Sequence, residues 1–140
     1  MRTRFTGALA LAVAGVLTMS CGGFIDPSTN KVDTFSGTVA QGSMSAGFAF
    51  TVSKTGEFTV KITALAPSSS AVMGVLYSLA QGDGSCSSNP QPYGYPNNFA
   101  LLNAPALSGQ IFSGRYCVYV FDPTGTLAAT TTFTVTVSHP

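Results

Sequence analysis

Past Lys31 the chain alternates apolar and polar residues with a period of two. Phe35 and Val39 alternate with Thr34, Ser36 and Thr38; Phe48, Phe50 and Val52 alternate with Ala49, Thr51 and Ser53. Phe58, Val60 and Ile62 then alternate with Glu57, Thr59, Lys61 and Thr63. A period of two sets one face of a strand on a core and the other in water. Ser53 to Gly56, between the second and third runs, predicts a hairpin in which Gly56 supplies the positive φ of the turn.

Pro67 and the serines after it end the third strand. Val72 to Ala80 is apolar nearly throughout, as expected of a strand buried on both sides. Gln81 to Gly84 breaks it, and residues 85–98 hold Pro90, Pro92 and Pro96, which bar regular ladder pairing. Phe99 to Leu107 predicts a less regular strand interrupted by Pro105. Gly114 to Phe121 resumes the alternation, with Tyr116, Val118 and Val120 facing one way and Arg115, Cys117, Tyr119 and Phe121 the other. Asp122-Pro123-Thr124-Gly125 is a turn, and a last strand runs Thr130 to Val137 with Phe133, Val135 and Val137 inward. No segment of this body carries a capped 3.6-residue period. About seven to eight short strands, with turn signals every ~8–12 residues, predict an all-β fold, an antiparallel β-sandwich of jelly-roll or immunoglobulin-like kind.

The first twenty residues are different. Arg2 and Arg4 precede an uncharged apolar run of 15 residues, Phe5 to Met19, closed by Ser20-Cys21-Gly22-Gly23. Positive, apolar, then small is the layout of a secretory signal helix, and the run falls short of the ~20 residues of a membrane span. The chain therefore divides into a signal peptide, 1–20, a tether, 21–31, rich in turn and coil formers, and a β-sandwich domain, 32–140. Cys21 at the cut resembles the lipobox of bacterial lipoproteins, in which the thiol receives the lipid and becomes the mature N-terminus. Thr18 stands where that pattern prefers Leu, with Leu17 one step back, and Met19 is an unusual neighbour. Ordinary signal peptidase cleavage after Thr18-Met19-Ser20 is the alternative and leaves a free thiol. The resemblance implies a membrane partner through an N-terminal lipid anchor. Gly22 replaces the Asp of the family's inner-membrane retention signal, which implies the outer membrane or cell surface.

With lipid on Cys21, the odd cysteine of three is explained. Cys86 and Cys117 remain, and export to an oxidising compartment predicts a disulfide between them rather than two separate buried thiols. Without the leader, four basic and five acidic side chains are left of the six and five in the whole chain. A near-neutral chain with no basic patch excludes nucleic-acid binding as its business. The Thr- and Ser-rich strand faces need no ligand to explain them.

The strand series 33–39, 48–52 and 56–60, with Ser113-Gly114-Arg115-Tyr116-Cys117-Val118-Tyr119-Val120-Phe121-Asp122 and Phe133-Thr134-Val135-Thr136-Val137, is similar to bacterial pre-peptidase C-terminal domains. The likeness covers most of residues 32–138. It implies a jelly-roll-like, non-catalytic sandwich of a kind appended to exported proteins, some of which bind extracellular matrix polymers or calcium. No catalytic domain accompanies it in this sequence, and acidic residues are scarce before the second strand, so no calcium position carries over.

Catalytic residues are not evident. The one histidine, His139, stands a residue from the C-terminus and is expected to be frayed; no paired carboxylates, HExxH or GxSxG occur. Glu57 reads as a solvated charge. Asp83 and Asp122 read as turn formers, too few and too scattered for a calcium ion. Neither a metal site nor a cofactor motif is expected. The candidate binding residues are Tyr93, Tyr95 and Phe99, an aromatic platform for a sugar ring or peptide, with Asn97 and Asn98 as amide donors. The more economical reading folds these rings back over one end of the sandwich, pinned by Cys86 and Cys117. The functional expectation is a non-catalytic exported lipoprotein, a binding or assembly module of the bacterial cell envelope with an extracellular polysaccharide or protein partner. The alternatives are a carbohydrate-binding or adhesive module and a self-assembling envelope subunit.

Overall fold

A computed structural model describes residues 27–140; the predicted signal helix and Cys21 lie outside the described residues. After a single 3-10 turn, Pro27–Thr29, eight strands follow. They are β1 (Lys31–Val39), β2 (Phe48–Val52), β3 (Gly56–Ala66), β4 (Met73–Leu79), β5 (Asn97–Ala100), β6 (Pro105–Ile111), β7 (Gly114–Phe121) and β8 (Thr131–His139). One sheet has the order β1-β8-β3-β6 and the other β2-β7-β4-β5, with every neighbouring pair antiparallel. Eight antiparallel strands that alternate between two packed sheets in this order form a jelly roll.

The core lies between the sheets and is built from the inward half of each alternating run. Phe58, Val60, Ile62, Phe133, Val135 and Val137 face Phe50, Val52, Val75, Tyr116, Val118 and Val120. The outer face of the first sheet carries hydroxyls in register, Thr34 opposite Thr136, Ser36 opposite Thr134 and Thr38 opposite Thr132. Ser36 and Thr134 share a hydrogen bond of 3.0 Å. β4 is covered on both faces, as its nearly continuous apolar run predicts: Met73 and Val75 enter the main core, and Leu76 joins a second cluster with Cys117 and Tyr119.

Three expectations are corrected. Ser53 to Gly56 is not a hairpin turn: β2 pairs with β7, while β3 pairs with β6 and β8 in the other sheet. Gly56 is buried at the start of β3, opposite Ile111, and is not among the glycines with positive φ. The segment crosses the edge of the sandwich, and the Ser53 N–H donates to the Pro140 carbonyl instead of to a hairpin partner. Phe99 to Leu107 is not one strand. It breaks after Ala100, where Asn103 at φ 63° turns the chain and donates its N–H to the Ile62 carbonyl, so β5 and β6 fall in different sheets.

His139, finally, is not frayed. It ends β8 opposite Lys31 and is 1 % exposed, because β8 runs down the middle of its sheet. Its ring lies 5.3 Å from that of Phe50, and its Nε2 is 3.0 Å from Asp33 Oδ2. Burial pushes the Asp33 carboxyl up, but its hydrogen bonds from Lys31 and His139 outweigh this and hold it below the usual carboxylate range.

Candidate functional site

Tyr93 and Tyr95 sit on the long connection from β4 to β5, whose first part folds over the outer face of the β2-β7-β4-β5 sheet, and Asn97, Asn98 and Phe99 belong to β5. Its first part is braced from within. Gln81 N–H donates to the Ser85 carbonyl at 2.9 Å, and Asp83 Oδ1 accepts from Ser85 N–H at 2.8 Å and Ser85 Oγ at 2.7 Å. These Ser85 bonds, side chain first, lower the Asp83 carboxyl below its ordinary range. Asp83 is thus a turn former, its Oδ1 bonded within its own loop.

The loop is then fastened to the sheet below it. Cys86 is bonded to Cys117 of β7, with their Cα atoms 5.8 Å apart. Tyr119 reaches up between the same elements and donates its hydroxyl to the Ser87 carbonyl at 2.9 Å. Gly47 permits this packing, since a Cβ there would stand 2.6 Å from the Tyr119 ring and overlap Cys86. With Leu76, the disulfide and Tyr119 make a small second core under the loop.

Tyr93 marks the next fixed point. Its N–H donates to the Tyr77 carbonyl at 2.7 Å, and its ring packs 5.6 Å from Tyr77 and 6.0 Å from Tyr116. Burial, chiefly, and the neighbouring tyrosines raise the phenol pKa of Tyr77 and Tyr116. Gly94, at φ 89°, takes the left-handed conformation that lets the chain turn out of this cluster. Tyr95 is thereby 96 % exposed, and Phe99 on β5 is 73 % exposed, whereas Tyr93 keeps only 39 % of its surface. The five predicted residues therefore divide. Tyr93 folds back as a capping ring, while Tyr95 and Phe99 stand in solvent.

The two asparagines divide as well. Asn97 is structural: its Nδ2 donates to the Ala106 carbonyl at 2.7 Å and its Oδ1 accepts from Phe99 N–H at 2.7 Å, which ties β5 to β6. Asn98 is exposed. A cleft of about 350 Å³ opens beside Tyr93, between the end of β4 and the loop, and its walls include Gln81, Asn89, Pro90 and Gln91. No charged side chain lines it. The supporting ring Tyr77 and these carboxamides are the members that reading the strand pattern missed. The signal for them was the absence of any charge in residues 84–99.

Asp122, the second turn aspartate, closes the opposite end. Its carboxylate accepts from the N–H groups of Gly42 at 2.9 Å, Gly125 at 3.0 Å, Leu127 at 3.1 Å and Thr124 at 3.2 Å. The Gly42 bond leads the causes that lower its pKa to about 2. Among the described residues no three His, Cys, Asp or Glu side chains gather as a metal site would need, and no helix is long and apolar enough to cross a membrane. Comparison with protein-family models and with curated proteins finds no match.

Proposed function

We propose that the chain is a non-catalytic exported lipoprotein, anchored by lipid on Cys21, whose jelly roll is a binding or assembly module at the outer membrane or surface of a bacterium. The observation that carries the reading is the Cys86–Cys117 bond. A bridge of this kind persists in an oxidising compartment, and Cys21 is the remaining cysteine of three, at the end of a signal-like segment. The jelly-roll strand order agrees with the pre-peptidase C-terminal resemblance. Burial of His139 against Phe50 and Asp33 keeps the sole imidazole away from any substrate, which favours binding over catalysis.

Mass spectrometry of the protein extracted from bacterial membranes tests this. The expected N-terminal peptide starts at Cys21 and carries acyl chains, and the non-reduced digest contains a Cys86–Cys117 cross-linked peptide. Retention of Met1, or an unmodified Cys21 thiol, would overturn the lipoprotein reading.

A further inference from the structure

We infer that the strip of Tyr93, Tyr95 and Phe99 along the β4–β5 edge binds a neutral, extended polysaccharide. This rests on the proposed binding-module role and names its ligand class. The strip has length: Tyr93 is bonded to Tyr77, Asn97 lies opposite Val75 and Ala100 opposite Met73, so the segment tracks β4 from Tyr77 to Met73. At ~3.3 Å per residue that is ~13 Å, more than one sugar ring. The Tyr95 and Phe99 rings are exposed along it, apolar surfaces of the kind against which the C–H face of a pyranose stacks.

The polar groups beside Tyr93 and on β5 select the partner. Among the described residues the carboxamides of Asn89, Gln91 and Asn98 find no hydrogen-bond partner. Each offers both donors and an acceptor, the complement of hydroxyls that also do both. A purely apolar partner would bury these amides unsatisfied. An anionic partner would find little counter-charge, because no charged side chain lines the cleft or falls within residues 84–99, and the Arg115 guanidinium at Gly84 is offset by the neighbouring Asp83 carboxylate. The strip is also organised in advance by the disulfide, the Tyr119–Ser87 bond and the two bonds of Asn97, so little ordering remains to oppose binding.

The test uses the full-length protein, purified from membranes in mild detergent, in pull-downs and affinity electrophoresis with cellulose, chitin and mannan, with alginate as the anionic counterpart. Retention on at least one neutral polymer is expected, unchanged from low to high salt. In the Tyr95→Ala/Phe99→Ala variant binding should weaken about tenfold or more, given the stacking of two rings, with an unchanged thermal melt. No retention on any neutral polymer, undiminished retention by the double variant, or retention on alginate alone would overturn the inference. So would a double variant that changes only the sedimenting mass, which would make the strip a contact between copies. None of these outcomes touches the acylation of Cys21, and an unmodified Cys21 with glycan retained would sink the lipoprotein reading alone.

Discussion

Removing the Cys86–Cys117 bridge tests how the aromatic loop is held. The bond spans 31 residues, from the loop to the middle of β7. In the chain-entropy description, opening a ring of that size frees about 12 cal/mol/K in the unfolded chain, or about 3–4 kcal/mol at 25 °C. For a body of about 110 residues, with an unfolding entropy of ~2.1 cal/mol/K per residue, that lowers Tm by about 15 °C. The variant is Cys86→Ala/Cys117→Ala rather than serine, because Cys117 is fully buried beside Leu76 and Tyr119, where a new hydroxyl would lack a partner.

Thermal melts followed by circular dichroism, with and without reductant, provide the assay, and amide exchange locates the change. The two sheets share a core to which the bridge does not belong, so the variant still folds at room temperature. Faster exchange is confined to residues 81–93, with β3 and β8 protected as before. A Tm shift below about 3 °C would refute the loop-closure account, since it would leave most of the expected entropy unaccounted for. Loss of all protected amides at 25 °C would refute the independence of the main core.

Two further substitutions probe the packing. Asp122→Asn removes a carboxylate whose pKa is held at about 2 against ~3.9 in an unfolded chain. A lowered folded pKa contributes stability that is complete above the unfolded value and lost as the pH falls towards the folded one. Melts of the native protein should therefore drop between about pH 4 and pH 2, and those of the variant should be lower at neutral pH and flatter across that window; parallel curves would count against the Gly42–Asp122 clasp. Gly47→Ala places a methyl 2.6 Å from the Tyr119 ring, and the crowding should cost ~1–3 kcal/mol in a urea titration. An unchanged midpoint would mean that the loop floats above β2 more loosely than its bonds imply.

Side-chain direction was legible in the sequence because alternation records which residues face water. Alternation alone divides β7 into Tyr116, Val118 and Val120 against Cys117 and Tyr119, and the two sets pack in the main core and the second cluster respectively. Sheet membership was not legible. β2 and β3 carry the same apolar spacing and are joined by only three residues, yet they sit in opposite sheets. A pattern that says "inward" is satisfied equally by either wall of one core. Position in the chain misled in the same way at His139. A residue next to the end is normally frayed, but here the last strand lies between β1 and β3, and Asp33 supplies the inward-facing partner.

The two outer faces of the sandwich explain why the site reading falls on the loop and not on the hydroxyl ladders. The outer face of the β1-β8-β3-β6 sheet has Thr and Ser at paired positions, some bonded to one another as Ser36 is to Thr134. Such a face needs only water, and short β-branched hydroxyls suit strands anyway. Its counterpart on the other sheet is covered by a connection that the fold did not require, since β4 and β5 are direct neighbours a short turn could join. Ordering each residue of that connection costs ~1–2 kcal/mol of backbone entropy. A disulfide, the Tyr119–Ser87 bond and a small core offset the cost. Yet the most exposed aromatic ring on this covered side, Tyr95, contributes almost no burial in return. A segment held this firmly, folded back at Tyr93 yet turned outward at Tyr95, has the exposed ring that the proposed binding role would use.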